Sequence, residues 1–444
     1  MSLILLLFWF FILSFGLSKW DWVKHSGIKT KVVIGLFGLK VIAGFLLVYL
    51  YGHFYNPFHS DIYIYFNDAL RLKGILLSDK SLFINILLDH DILGAGAYEK
   101  YTQLQYWDSS NTDFFIQEKR LVILINLLFS FLSMNNIYIH SMLMAFLGFI
   151  GQIGLFRFVK KQSDINPIWI LIITFLLPTF TLWSASILKE PLIIFSLGLT
   201  LFFLGKWTKK WKIKYAFSFL AFFIIGLIVK PYVILALAFP ILIFIWFKLK
   251  DKLSLKKQSL IVFSGLGSIL ILFQIFTFLG LNLFEKLSNK QAAFNKVITI
   301  AEETSTVGSK IQLANLEPHL NSFLVNSPKA FFNVLLSPCF SDYKNFLYLP
   351  DILQNLILIL IVISLIKFRK KPSKKTLPFL WLSMLFVLIL FVVIGLVTPV
   401  LGAIVRYKIP ALVFVFFILL SFLEVSISSE RFKTFLFHKK RIKR

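Results

Sequence analysis

The feature that most constrains this chain is its succession of long apolar runs, each closed by polar or basic residues. Eleven are readable: Leu3–Leu17, Val32–Gly52, Ile137–Phe156, Pro167–Trp183, Pro191–Gly205, Tyr215–Val229, Tyr232–Phe247, Leu260–Leu279, Ile352–Phe368, Leu377–Val397 and Ile409–Leu423. In hydrocarbon every backbone N–H and C=O must be paired internally, so such runs are predicted to be helices. Unbroken stretches such as LIIFSLGLTLFFLG do not fit the short alternating strands of a membrane β-barrel. Several runs fall short of the roughly 20 residues of an ideal span. Flanking Trp, Tyr and Lys can make up the length by snorkelling to the interface. Charged residues are only 15% of the chain, against about 25% in an ordinary soluble domain. A soluble globular enzyme and a disordered chain are both excluded. The expected fold is all-α: one integral membrane domain over residues 1–444, with about eleven transmembrane helices. Two long outer loops carrying surface helices, 53–120 and 281–350, complete it.

The net charge of +26 comes from 47 Lys and Arg against 21 Asp and Glu. Thirty of the 47 bases sit in six short segments, 19–31, 157–161, 206–214, 248–257, 367–375 and 431–444, each abutting an apolar run. That is the positive-inside pattern, a topology signal more than a nucleic-acid footprint. With these segments in the cytoplasm, the reading is a bacterial inner-membrane protein with a periplasmic N-terminus and a cytoplasmic C-terminus. Leu121–Met134 breaks the alternation if it crosses, so it is read as an interfacial or re-entrant helix. The first run has no basic stretch before it and no A-x-A-like site after it, and reads as an uncleaved span. Cys339 is the single cysteine, so neither an intramolecular disulfide nor a Cys-based metal site can form.

The segment 53–118 carries nine acids and four bases and opens with HSDIYIYFNDALRLKG. Asp61 follows the end of the Val32–Gly52 run by nine residues, which puts a carboxylate near the outer membrane surface. Partial desolvation there raises basicity. Such a group can take a proton from a sugar hydroxyl attacking an activated anomeric carbon. Asp68, two helical turns on, shares its face and could hold the acceptor or support Asp61. With nine acids in one loop, a merely solvated surface is the competing reading. The outer turns add cations. Lys189 precedes Glu190 and Pro191 in WSASILKEP, Lys230 precedes Pro231, and Arg406 and Lys408 stand in VRYKIP. Each sits at the start of a helix, where the backbone favours anions. Lys189, Lys230 and Arg406 are therefore expected to converge on a lipid phosphate or pyrophosphate, the alternative being simple headgroup anchoring. Arginine is scarce, eight in all, which gives Arg406 extra weight.

Asp89-His90-Asp91 could hold a divalent cation, Mg or Mn, although so short a pattern arises easily by chance. No cofactor motif is otherwise present. Tyr98, Tyr101, Tyr106 and Trp107 could stack on sugar rings or anchor the interface. In the second outer loop, Phe284 to Glu303 has helical periodicity, with Leu287, Phe294, Val297, Ile298 and Ala301 on one face, and could lie on the membrane surface. Lys40 stands inside an apolar run and must either snorkel or face a polar interior.

The segment DIYIYFNDA, residues 61–69, resembles the first-loop pattern of the GT-C superfamily of polytopic glycosyltransferases, a carboxylate followed by Tyr and Ala. LLPTFTLWSASILKEP, VKPYVILALAFP and GAIVRYKIP resemble motifs of bacterial surface-glycan membrane proteins loosely grouped with those enzymes or with polysaccharide polymerases. The resemblance implies a base at Asp61 and headgroup contacts from Lys189, Lys230 and Arg406. It implies a polyprenyl-phosphate-linked sugar as donor, a glycan or lipid-linked acceptor, membrane lipids as surroundings and no nucleic acid. One departure is that Leu3–Leu17 precedes the span that leads into Asp61, whereas GT-C members place the carboxylate after their first span. The expected activity is inverting sugar transfer on the outer face. The alternatives are an O-antigen or exopolysaccharide polymerase using polyprenyl-pyrophosphate-linked repeats, and a transporter of lipid-linked glycan.

Overall fold

The computed structural model of the chain defines residues 2–54, 56–88, 95–107, 118–250, 254–278, 282–303, 311–339, 342, 348–424 and 434–438. All regular structure among them is helical. The N-terminal part comprises α1 (Ser2–Lys19), α2 (Asp21–Lys24), α3 (Thr30–Phe54), α4 (Asp61–Ser78), α5 (Lys80–Leu88), α6 (Ala95–Thr102) and α7 (Glu118–Ser130). The central part comprises α8 (Ile137–Gln162), α9 (Pro167–Leu176), α10 (Pro178–Trp183), α11 (Lys189–Lys210), α12 (Ile213–Val229), α13 (Pro231–Leu249) and α14 (Leu255–Phe278). The remainder is α15 (Leu283–Glu303), α16 (Leu320–Leu336), α17 (Leu349–Lys367), α18 (Leu377–Val397), α19 (Leu401–Tyr407) and α20 (Ile409–Phe422). Proline sets several starts: Pro167, Pro178 and Pro231 stand at first positions, where a missing N–H costs nothing.

Among the described residues, six helices are long and apolar enough to cross a membrane: α3, α8, α11, α13, α17 and α18. The pair α19 and α20, bent by 64° at Lys408, would make a seventh. Eleven crossings are not reached on length and composition alone. Leu3–Lys19, α9 and α12 are apolar but short, and Pro178 splits the expected Pro167–Trp183 run into α9 and α10. The helix α7 has 13 residues, about 20 Å at 1.5 Å per residue. That is too short for a hydrocarbon core of about 30 Å.

The core is built around α8, most of whose side chains are buried against α3 and α11. Two glycines let α8 and α11 approach to backbone contact. A Cβ placed on Gly198 would fall 1.9 Å from the Gly151 carbonyl oxygen, and one on Gly151 would fall 2.2 Å from the Ile194 carbonyl oxygen. This is the small-residue route to close helix contact in membranes. Gly198→Leu is accordingly expected to separate the two helices. Size-exclusion chromatography of the purified variant should show loss of the monodisperse peak. A variant as monodisperse and heat-resistant as wild type would contradict this packing.

The expected surface helix of the second outer loop exists as α15, but protein covers part of its apolar face. Phe284, Leu287 and Phe294 pack with Leu316, Phe323 and Leu396. Gln291 ties the contact by donating to the carbonyls of Ala314 and Leu396, at 3.0 and 2.7 Å, and accepting from the Leu316 N–H at 3.0 Å.

Chain direction sorts the bundle into two ends. The helices α3, α12 and α18 run away from the lysine-rich segments, and α8, α11, α13 and α20 run back toward them. At the basic end, Arg157 bonds the Trp22 carbonyl at 2.6 Å, Lys160 the Ser26 carbonyl at 2.9 Å, and Lys375 pairs with Asp164 at 2.8 Å. Short backbone bridges join Ile28 to Phe437 and Arg369 to Leu423 there. The opposite end gathers the starts of α4, α11 and α13 and the break between α19 and α20.

Candidate functional site

Four separate chain segments bring charge together at that opposite end. Asp61 is the first residue of α4. Lys189 and Glu190 open α11, Lys230 is the residue before α13, and Arg406 sits in the last turn of α19. None of α4, α11, α13 and α20 is capped by the side chain of its preceding residue. The positive ends of these helices therefore add to the field of the cations.

Arg406 joins the segments. Its Nη1 donates to Asp61 Oδ2 at 2.6 Å, and its Nε donates to Glu190 Oε1 at 3.3 Å. Lys230 Nζ donates to the same Glu190 oxygen at 2.9 Å, and the Tyr106 hydroxyl donates to Asp61 Oδ1 at 2.5 Å. Side-chain exposure orders the site in depth: 27% for Asp61 and 19% for Arg406, against 3% for Lys230 and none for Glu190. The Asp61–Arg406 pair forms the accessible rim, and Glu190–Lys230 lies behind it. Lys189 extends the rim through Glu118 at 2.7 Å, and Lys119 lies 4.1 Å from the Tyr106 ring centre. Burial opposes ionisation of Asp61, but the Arg406 guanidinium and the Tyr106 hydroxyl outweigh it and hold the carboxyl below the usual aspartate range. Burial, then the charge of Lys189, pulls the Lys119 ammonium below the usual lysine range. The Tyr106 hydroxyl is pushed up by burial and by the neighbouring Asp61 carboxylate.

Polar capacity is left over around this cluster. Glu190 Oε2, Ser60 Oγ and the Tyr232 hydroxyl are buried and make no hydrogen bond. Native interiors seldom leave such atoms unpaired without water, an ion or a ligand. The interior behind the site is also charged. Lys40 faces inward and donates to Ser184 Oγ at 2.6 Å, so it does not snorkel. Lys408, fully buried at the α19–α20 break, bonds the Ser337 carbonyl at 2.6 Å and faces Asp351 at 3.6 Å. Trp183 bridges the two groups: it neighbours Asp351, and the Arg406 guanidinium lies 5.9 Å from its ring centre.

Of the three cations expected to converge, Lys230 and Arg406 meet at Glu190, while Lys189 stands beside them on the rim paired with Glu118; Asp61 joins them through Arg406. Asp68 is not part of the exposed site. It is fully buried and accepts the backbone N–H groups of Gln105 at 3.1 Å and Tyr106 at 2.7 Å, with Arg71 at 3.4 Å. Burial raises its carboxyl above the usual range despite these donors. Its part is to pin the strand of chain that presents Tyr106. Asp68→Asn is expected to replace one acceptor by a donor facing an N–H, at a cost of about 1–3 kcal/mol. Limited proteolysis should show faster cleavage after Lys100, and unchanged cleavage would contradict this role.

The other acids divide. Asp79 caps the start of α5 through the Leu82 N–H at 2.9 Å, while Asp89, Asp91, Asp108 and Asp113 lie outside the described residues, as does the Asp89-His90-Asp91 pattern. Among the described residues no group of three or more His, Cys, Asp or Glu is placed to hold a metal. Trp107 is buried core and donates to the Ile86 carbonyl at 3.3 Å, so it does not present a stacking face.

Glu190 and Tyr106 are the partners that sequence reasoning left unassigned. Glu190 had a signal, an acid in the first turn of a helix next to Lys189. Tyr106 lay within the aromatic stretch read for stacking, but only long-range folding sets it against Asp61. Comparison with protein-family models, curated proteins and solved structures returned no match.

Proposed function

We propose that this protein is a membrane-embedded glycosyltransferase that takes a sugar from a polyprenyl-phosphate-linked donor on the face where Asp61 lies. The observation that carries the reading is the convergence of Asp61, Glu190 and Lys230 at three helix starts with Arg406 in the last turn of α19, which sets an accessible carboxylate directly against an arginine. The proposed setting is the bacterial inner membrane, with about eleven crossings and this face toward the periplasm. The donor phosphate would take the Arg406 guanidinium, with Lys230 and Lys189 adding positive charge as the phosphate leaves. In the ligand-free arrangement Arg406 makes Asp61 a weak base. Withdrawal of Arg406 to the phosphate would free the carboxylate at the moment a sugar is present. Asp61 would then take the proton from the acceptor hydroxyl, whose oxygen attacks the anomeric carbon as the phosphate departs. Single displacement inverts that carbon. Glu190 holds Arg406 and Lys230 in register and is not itself placed at the rim.

The test is sugar release from a synthetic polyprenyl-phosphate-linked donor by purified protein. Arg406→Gln should lower the rate by about 10²–10³-fold, the effect of removing one oxyanion-stabilising donor. A rate within a few-fold of wild type would remove Arg406 from the phosphate site. The placement of Arg406 and Lys189 on the rim favours one second reading, a polymerase joining polyprenyl-pyrophosphate-linked repeats, in which Arg406 and the lysines carry the chemistry. In that case complete lipid-linked repeats would serve as substrate and single-sugar donors would not.

A further inference from the structure

The Asp351–Lys408 pair behind the rim has no part in the proposed transfer, yet its placement singles it out. Lys408 ends α19 and precedes α20, at the point where the two bend by 64°. Arg406 stands two residues before it, in the last turn of α19. That helix has only 7 residues, about 10 Å at 1.5 Å per residue. So short a helix is marginal alone, and its direction must be set by what holds its ends.

Both ends are tied to the chain between α15 and α17. Before α19, the Pro399 carbonyl accepts the Ile311 N–H at 2.8 Å. After it, the Lys408 ammonium donates at 2.6 Å to the carbonyl of Ser337, the residue that closes α16. It also faces Asp351, in the first turn of α17, at 3.6 Å. Both charged side chains are fully buried. Neither Asp351 oxygen makes a hydrogen bond, and among the described residues Lys408 is its one ion-pair partner. A buried pair adds little stability over apolar side chains of the same size, but it specifies one arrangement, because either charge alone is stranded. The arrangement specified here is the break. Trp183 completes the geometry: it lies against Asp351, and its ring centre is 5.9 Å from the Arg406 guanidinium. A shift of Lys408 away from Asp351 moves the last turn of α19, and with it the guanidinium that meets Asp61 and Glu190.

We infer that Asp351 and Lys408 are positioning residues: their pairing fixes the α19–α20 break at the place where Arg406 meets Asp61. The consequence for sugar transfer rests on the function proposed above, whereas the placement of Arg406 does not. The test reads Asp61 directly, by carbodiimide labelling of the purified full-length protein across pH, followed by peptide mass spectrometry. Labelling needs the protonated carboxyl, and a neighbouring arginine lowers the pKa of a carboxyl by about 1–3 units. The other titratable groups around Asp61, namely Tyr65, Tyr106, Tyr407, Lys119 and Lys189, are left in place. Asp351→Leu with Lys408→Met exchanges the whole pair, a change that is often close to neutral for the fold. It should move the labelling midpoint of Asp61 up by about one pH unit. It should also lower sugar release from the synthetic lipid-linked donor by about 10²-fold, the cost of a misplacement of about 1 Å. Asp351→Asn, which keeps Lys408 on the Ser337 carbonyl, should move the midpoint the same way by less, and it decides the matter if the paired variant does not fold. Lys375→Gln, which breaks the exposed pair with Asp164 at the other end of the bundle, should leave the midpoint unchanged. A wild-type midpoint in the paired variant, or in Asp351→Asn where the paired variant does not fold, would overturn the positioning role, as would an equal shift in Lys375→Gln. A shifted midpoint with no sugar release by wild type would keep the positioning role and remove the transfer reading.

Discussion

Asp61→Asn is expected to lower sugar transfer by about 10²–10⁴-fold, the usual contribution of a positioned general base. The substitution isolates the chemistry well. An asparagine keeps the side-chain shape and retains one oxygen to accept from Tyr106 or Arg406, so the rim should stay assembled. What it cannot do is take a proton from an attacking hydroxyl. The measurement is turnover of the lipid-linked donor, with circular dichroism and thermal unfolding to show that the fold is kept. The pH dependence has a definite sign. The folded carboxyl lies below its unfolded value of about 3.9. Its contribution to stability is therefore present above about pH 4 and lost as pH falls through the folded pKa. Loss of the fold in mild acid above pH 5 would have to come from another group.

The second large effect belongs to Glu190. Its carboxylate is fully buried between Lys230 at 2.9 Å and Arg406 at 3.3 Å. Glu190→Ala would leave Lys230 buried without its ion-pair partner. Breaking a buried pair from one side costs about 3–5 kcal/mol. The expected result is a large drop in the yield of folded protein and in its unfolding temperature. Replacing both partners is the informative control, because apolar substitution of a whole pair is often close to neutral. Glu190→Leu with Lys230→Met should recover most of the stability while remaining inactive, since Arg406 is no longer held in place. A single Glu190→Ala variant as stable as wild type would show that the pair does not support the fold.

These two residues also show how far the chain could be read in advance. The apolar runs announced the helices because hydrocarbon burial leaves the backbone no alternative. Each of them is helical over most of its described length, with Pro167–Trp183 divided between α9 and α10. The number of crossings was less legible, since a proline such as Pro178 breaks an apolar run without changing its composition. Lys230 was visible as a charge at a helix start and Asp61 as a carboxylate just past an apolar run, both local properties, whereas Arg406, expected at a helix start, stands in the last turn of α19. Asp68 was legible only as an acid on the face of Asp61, because that spacing says nothing about the chain at 105–106 that folds over it. The Asp351–Lys408 pair was not legible as a pair: Lys408 showed only as a cation before a helix, and the carboxylate it faces lies 57 positions away.

The most direct measurement is mass spectrometry of polyprenyl-linked glycans and surface polysaccharide in a strain lacking this protein, restored with wild type or with Asp61→Asn. The account predicts loss of one defined sugar, recovered by wild type and not by the variant. Recovery by Asp61→Asn, or a glycan profile unchanged by removing the protein, would contradict it.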